Sequence, residues 1–253
     1  MHEAVASIGD QEFDRADIVL VGFVDGSWPH FEGLARAGLA CDRDAGGKVE
    51  IDDLRAAAEA FRRSQALLAA DELQAWLDER NLSRAALTAH LRRRVLVATH
   101  AGELDEIVAR NPVPVDDVAG ILLAEATFQG IIRRCADTAV EWAGAPGDAG
   151  LGPSEPARAL AAEVRSSAAS RILDLDDAEL AARIGRLLDL RASYERWVAS
   201  VANESAIRAC IDAHRMDWLR FDYVELRFDG DAEASEGAMC LREDGLEVGD
   251  VAR

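Results

Sequence analysis

The sequence predicts a mostly α-helical protein. Alanine is the main apolar residue, followed by leucine and valine, and only 6% of the 253 residues are aromatic. Alanine, leucine and arginine are good helix formers, so this composition favours packed helices over sheets. Apolar residues also recur at helical spacing along much of the chain, and only 221–228 show the alternation of a half-buried strand.

Composition also narrows the partners and the cellular compartment. The formal net charge of −19 repels nucleic-acid phosphates and argues against a nucleic-acid partner. The run Ile18–Val24 is too short for a membrane span or for the apolar core of a signal peptide. Cysteines are scattered without a CxxC pair, as expected of buried reduced thiols. They are Cys41, Cys135, Cys210 and Cys240. We therefore expect a cytoplasmic protein without a membrane partner.

The first half of the chain contains a series of short predicted helices. The run Ile18–Val24 is too short for periodicity to distinguish a strand from a helix, whereas 31–40 reads as a helix. Asp52 or Asp53 is placed to cap the next helix, and DELQAWLDER forms another.

The helix predicted after Ser83 has the clearest start signal. Ser83 is a good N-cap, and Leu82 and Leu87 flank it at the spacing of a hydrophobic staple. Leu91 continues the buried stripe, whereas Arg92–Arg94 are predicted to lie on a solvated face.

The second half is predicted to contain longer helices. One helix runs from Asp116 or Asp117 through Trp142, and others cover roughly 157–171, 175–200 and 203–219. Glycine and proline are dense between Gly144 and Pro156. We therefore divide the chain into an N-terminal helical region (1–145), a loop or linker (146–156), a second helical region (157–220) and a strand–helix segment (221–253).

Two stretches resemble the chaperone family of the SurA and PrsA type. In EIDDLRAAAEAFRRSQALLAADELQAWLDERNLSRAALTAHLRRRVL, the pairs Phe61–Arg62 and Trp76–Leu77 and the capped start Asn81–Ser83 match that family's helical region. The segment SAIRACIDAHRMDWLRFDYVELRF resembles the helix and first strand of a parvulin domain. DAEASEGAMCLREDGLEVGDVAR resembles the helix that follows. The resemblance implies a helical chaperone-like bundle with a short parvulin-like remnant.

The resemblance implies binding of peptides or unfolded protein segments, among them a dedicated precursor peptide or partner protein of a peptide-maturation system. The client-contacting side chains expected from it are Trp76, Leu82, Leu91, Trp218 and Tyr223. Two other functions stay open. The helices could form a non-catalytic adaptor for one folded partner, or the chain could be part of a prolyl isomerase whose catalytic domain lies elsewhere. No cofactor is expected for any of them.

The loop from Asp42 to Asp53 imitates a calcium-binding EF-hand. Asp42 and Asp44 occupy its first and third positions, but Gly46 offers no ligand at the fifth and Asp53 replaces the long glutamate at the twelfth. We therefore expect a polar loop without tight calcium binding. The five histidines show no metal-ligand spacing, and no GxSxG or phosphate-binding glycine motif is present.

The chain should not accelerate prolyl isomerisation. Parvulins carry a histidine on the first strand, whereas FDYVELRF has none, and one strand and one helix cannot enclose the imide bond. An exchange assay on an Ala-Pro peptide should give the uncatalysed rate. An acceleration that Tyr223→Phe or Glu225→Gln abolishes would contradict this expectation.

Overall fold

The computed structural model describes residues 4–44, 46, 48–67, 69–146, 155–213, 230 and 234. Within these residues the chain forms eleven α-helices and one two-stranded sheet, which confirms the mostly α-helical class. In chain order the elements are β1 (Ala4–Ile8), β2 (Gln11–Asp14), α1 (Arg15–Val24), α2 (Ser27–Asp44), α3 (Ile51–Ser64), α4 (Ala70–Glu79), α5 (Arg84–Thr99), α6 (Leu104–Arg110), α7 (Val115–Phe128), α8 (Ile131–Gly144), α9 (Glu155–Ser166), a 3-10 turn (Ala168–Arg171), α10 (Asp177–Val201) and α11 (Glu204–Ala213).

An N-terminal hairpin leads directly into the central helix. β1 and β2 pair antiparallel, and Asp14, the last residue of β2, caps α1. Its carboxylate accepts from the Asp17 backbone N–H at 2.9 Å, and the Asp17 carboxylate accepts in return from the Asp14 N–H at 3.3 Å. This reciprocal cap explains why Ile18–Val24 forms a helix and not a strand. The sequence analysis did not predict the hairpin.

The main hydrophobic core surrounds α1, in which every residue from Asp17 to Val24 is buried. α1 packs against α2, α8 and α9, and α2 packs in turn against α5, α6 and α7. Apolar residues of α10, among them Ile184 and Leu187, belong to the same core. One core therefore contains residues from before and after the predicted loop 146–156. By contacts the chain divides into two units, Met1–Ser200 and Val201–Arg253.

A smaller cluster lies among α3, α4, α5 and the end of α7. Its buried members are all apolar, and half-buried side chains such as Trp76 and Leu82 pack against them. The buried set is Phe61, Leu67, Leu77, Leu87, Leu91 and Phe128. Ser83 caps α5 as predicted, since its Oγ accepts from the Ala86 N–H at 3.0 Å. Leu82 and Leu87 both belong to this cluster, as a hydrophobic staple requires.

Two helix predictions need correction. The helix expected from Asp116 or Asp117 through Trp142 is two helices, because Gly130 adopts a left-handed conformation (φ 69°) between α7 and α8. α3 begins at Ile51, so Asp52 and Asp53 lie in its first turn, where acids favour the helix dipole, and do not cap it.

In the second unit the structure describes α11, whose residues are all exposed. The predicted strand 221–228 and most of the segment 221–253 lie outside the described residues, so the parvulin-like remnant stays a prediction. No helix in the described part of the chain is both long and apolar enough to cross a membrane.

Substitutions of two helical glycines should have opposite effects on stability. A Cβ on Gly22, inside α1, would lie 3.1 Å from Trp28 atoms and 3.2 Å from the Cys135 Sγ. We expect Gly22→Ala to lower the free energy of unfolding by about 1–3 kcal/mol through overpacking. Gly33 in α2 has nothing within 4 Å of such a Cβ. Gly33→Ala should therefore raise stability by about 0.5–1 kcal/mol. Urea unfolding of both variants checks this, and equal effects would contradict the packing around α1.

Candidate functional site

A cleft of about 440 Å³ opens between α2 and α5 and is bounded at one end by the α7–α8 corner. Half of its lining residues are small or apolar, and the other half are three arginines, one glutamate and one glutamine. The lining residues are Leu34, Ala35, Gly38, Arg93, Arg94, Val97, Ala98, Glu125, Gln129 and Arg134. Ligand sites commonly combine apolar surface with convergent polar groups, so this cleft is the candidate functional site.

A buried ionic group forms part of the lining. The Glu125 side chain is 4% exposed and joins α7 to α5 through both carboxylate oxygens. Its Oε1 accepts from Arg93 Nε at 2.9 Å and also from Arg93 Nη2. Its Oε2 accepts from His90 Nδ1 at 2.6 Å and from Gln129 Nε2 at 3.4 Å. Four donors thus compensate one carboxylate that has lost its water, which is what a buried charge requires.

These partners keep Glu125 ionised. Burial by itself raises the pKa of Glu125, but the hydrogen bond and charge of His90 and the charge and hydrogen bonds of Arg93 outweigh it, so the pKa lies below its ordinary value of 4.5. Because an ionised carboxylate only accepts hydrogen bonds, His90 Nδ1 carries the proton of the shared bond. His90 Nε2 is buried and has no hydrogen-bond partner among the described residues.

The position of His90 argues against a role as a catalytic base. A histidine held by a carboxylate is a common arrangement in nucleophilic catalysis. Here, however, the His90 side chain is fully buried and its ring stacks on Phe128 with a centroid distance of 5.0 Å. His90 is also not among the residues that line the cleft. We therefore assign His90 and Glu125 a positioning role, in which they hold Arg93 beside the cleft.

Two glycines shape the cleft. A Cβ on Gly38 of α2 would lie 3.2 Å from the Cβ of Arg93, so glycine allows the arginine stem to lie directly against α2. At the other end, Gly130 reverses the chain between α7 and α8. This turn brings Gln129 and Arg134 into the lining, and Arg134 Nη1 donates to the Gln129 carbonyl at 3.2 Å.

The cleft is locally basic although the chain is acidic. Three arginines line it against the single carboxylate of Glu125, which leaves two positive charges uncompensated. Arg93 is paired with Glu125, whereas Arg94 makes no side-chain hydrogen bond or ion pair to another described residue. The prediction that Arg92–Arg94 are all solvated is wrong for Arg93. Arg93 is only 8% exposed, because the ion pair with Glu125 compensates for its burial.

The structure places three of the predicted client-contacting residues, Trp76, Leu82 and Leu91, outside the lining of this cleft. Trp76, Leu82 and Leu91 come together in the small cluster, where Trp76 stacks on Phe128 and contacts the edge of Phe61. Trp76 is half-buried under the Arg80 guanidinium at 4.5 Å, whereas Leu91 is buried. Trp218 and Tyr223 lie outside the described residues. Peptide contact at these five positions stays a prediction.

The EF-hand-like segment has a different geometry from the expected loop. Asp42 and Asp44 lie in the last turn of α2, and Asp53 lies in the first turn of α3. Asp42 pairs with Arg92 at 2.7 Å, and Asp44 accepts from Asn111 at 2.7 Å. In the described residues no three His, Cys, Asp or Glu side chains are grouped so that they could hold a metal ion.

No protein-family model, no curated protein and no solved structure matches this chain. The resemblance to the SurA and PrsA type therefore stays a proposal.

Sequence reasoning missed the cleft for a specific reason. Its members come from α2, α5, α7 and α8, and no motif or fixed spacing connects them. One signal was available, since Glu125 stands among apolar residues in ILLAEATF on the inner side of a predicted helix. A buried acid predicts a buried basic partner, and Arg92–Arg94 was the obvious basic run.

Removing the charge of Glu125 should destabilise the protein and change how its free energy of unfolding depends on pH. Glu125→Gln leaves the Arg93 guanidinium buried without a counter-charge, which should cost about 3–5 kcal/mol at neutral pH. Because the folded-state pKa of Glu125 lies below 4.5, its stabilising contribution is complete above 4.5 and is lost as the pH falls through the folded-state value. Urea unfolding from neutral to acidic pH should show this loss in the wild type.

The Glu125→Gln variant should not show this loss of stability at acidic pH. Glu59→Gln is the matched control, because Glu59 is exposed on α3 and should leave both stability and its pH dependence unchanged. Parallel acid curves for the wild type and Glu125→Gln would contradict the ionised state of Glu125.

Proposed function

We propose that this protein binds peptides or unfolded protein segments, and that the cleft between α2 and α5 receives part of the bound chain. The observation that carries the proposal is the combination of apolar walls with fixed polar groups in one cavity. Apolar walls accept side chains of many sequences, and the polar groups orient them. The resemblance of 50–100 to a helical chaperone region points to the same class of ligand.

The size of the cleft suits a peptide side chain or chain end. Ligand pockets are commonly about 300–1,000 Å³, and this cleft has about 440 Å³. Leu34, which lines the cleft, keeps 37% of its surface exposed and so offers apolar area to a bound segment. The bound chain would insert one or two side chains between α2 and α5 and leave its remainder outside.

The small cluster among α3, α4, α5 and the end of α7, called the aromatic cluster from here on, is the alternative peptide-binding surface. Trp76 and Leu82 are both half-buried there, so each presents part of an apolar side chain to solvent. Trp76 is held between Phe128 and the Arg80 guanidinium, which limits its motion. Because Trp76 does not line the cleft, variants can separate the two surfaces.

A non-catalytic adaptor for one folded partner is the competing function. The number of ligands distinguishes the two, since a chaperone-like binder slows the aggregation of several unrelated unfolded proteins and an adaptor does not. A contribution to prolyl isomerisation rests on 221–253, which lies largely outside the described residues.

Filling the cleft should weaken peptide binding. Ala98 lines the cleft and is exposed, so Ala98→Phe occupies the cavity without entering the core. We expect it to weaken binding of unfolded peptides by about tenfold or more in a fluorescence titration, which corresponds to the loss of one buried apolar side chain. Ala85→Phe is the matched control, because Ala85 is exposed at the start of the same helix and does not line the cleft.

A parallel titration of Trp76→Ala tests the aromatic cluster. Because Trp76 is only half-buried, its truncation should cost about 2–3 kcal/mol of stability, less than a fully buried aromatic residue. If Trp76→Ala weakens binding and Ala98→Phe does not, the peptide lies on the aromatic cluster and not in the cleft. Wild-type protein that binds no unfolded peptide would contradict the proposed function.

A further inference from the structure

We propose that the cleft selects peptides that carry a carboxylate, and that Arg94 and Arg134 bind this carboxylate. The inference rests on the proposed peptide binding at the same cleft and names the chemical group that the site recognises. It is carried by the two arginines that line the cleft without an ionised partner in the described residues.

The ion pairs of the neighbouring arginines show why these two are available. On α5, Arg92 pairs with Asp42 and Arg93 with Glu125, whereas no carboxylate among the described residues lies within ion-pair distance of Arg94. On α8, Arg133 faces Asp137 at 4.0 Å. Arg134 instead makes one described side-chain bond, to the Gln129 carbonyl. Arg94 and Arg134 therefore both line one cavity with guanidinium donors that are available to a ligand anion.

A hydrogen bond to the backbone orients Arg134, and its other guanidinium N–H groups remain available to a ligand. The bond from Arg134 Nη1 to the Gln129 carbonyl uses one of the five guanidinium N–H groups. The left-handed Gly130 fixes the corner from which Arg134 extends. A partly fixed guanidinium loses less conformational freedom when it binds a ligand, and its fork matches the two oxygens of a carboxylate.

Glu125 does not compete for these two arginines. Both of its carboxylate oxygens already accept hydrogen bonds, from Arg93, His90 and Gln129. Because its lowered pKa keeps it ionised, it compensates the buried groups that contact it. Arg94 and Arg134 therefore remain to contact an anion that enters the cleft.

The global charge of the chain limits which anion can bind. A net charge of −19 opposes the approach of a polyanion, whose many charges extend beyond the arginines. A single carboxylate interacts mainly with groups within one screening length, about 8 Å at physiological salt. Apolar walls formed by residues such as Val97 and Ala98 then contact the neighbouring side chain of the peptide. A peptide carboxylate meets both conditions, whereas a nucleic acid does not.

The test uses four versions of one apolar fluorescent peptide and the full chain. The versions carry a free C-terminal carboxylate, an internal glutamate with an amidated end, both carboxylates, or neither. We expect the wild type to bind carboxylate peptides about 10–100-fold more tightly than the neutral one, as for a charge-assisted hydrogen bond. The first two versions identify whether the recognised carboxylate is the chain end or a side chain.

Variants then assign the preference to the two arginines. Arg94→Gln and Arg134→Gln should each reduce the preference, measured in each variant as the ratio of neutral-peptide to carboxylate-peptide Kd, to a few-fold. Arg133→Gln is the matched control, since Arg133 is 89% exposed beside Arg134 and does not line the cleft. All three arginines are exposed, so unfolding curves should coincide and exclude misfolding as the cause.

The possible failures are distinguishable. Equal binding of neutral and carboxylate peptides by the wild type would overturn this inference and leave the proposed function intact. A preference that persists in the double variant Arg94→Gln/Arg134→Gln would also overturn it, because the carboxylate would then be recognised elsewhere. Binding of none of the four peptides would contradict the proposed function itself.

Discussion

The arrangement of α5, α7 and the cleft depends on one interaction, the compensation of the ionised carboxylate of Glu125. It lies out of water between α7 and α5, where a bare charge would cost several kcal/mol. Arg93 and His90 of α5 and Gln129 after α7 compensate it together. Because hydrogen bonds require particular distances and directions, they fix α5 relative to α7 more tightly than apolar packing alone would. This arrangement fixes the position of α5, which forms one wall of the cleft between α2 and α5.

The same carboxylate connects the cleft with the aromatic cluster. One of its oxygens binds Arg93 beside the cleft, and the other binds His90, which stacks on Phe128. Phe128 in turn stacks on Trp76. The two surfaces considered for peptide binding therefore share one buried ionic group, although they are lined by different residues.

A second ionic network joins α10 to the start of α1. Arg183 of α10 contacts Asp14 at 2.8 Å and Asp17 at 3.3 Å, the two residues that form the cap of α1. Arg186 reaches Asp17 at 2.8 Å and lies over the ring of Phe13. Long helix α10 is thus attached to both the hairpin and α1.

The sequence by itself determined the local elements of this protein. Composition and periodicity predicted a mostly helical chain, and Ser83 and the staple of Leu82 and Leu87 predicted the start of α5. These signals are local, because caps and apolar spacing act within one or two turns. The hairpin at 4–14 and the break at Gly130 were not predicted. A two-stranded hairpin depends on the core that it covers, and a glycine inside a helical pattern can be continued or broken.

Only the tertiary structure decided what surrounds each side chain. Arg93 and Arg94 are neighbours in a basic run, yet one is buried against Glu125 and the other lines an open cleft. Their roles differ because α2 and α7 approach α5 from particular directions, and Gly38 allows that approach. The long-range contacts that create the cleft join residues about 30 positions apart or more, and no local pattern encodes them. Local propensity thus determined where the helices form. The compensation of the buried charge of Glu125 and the close packing at Gly38 determined where the cleft lies and which side chains line it.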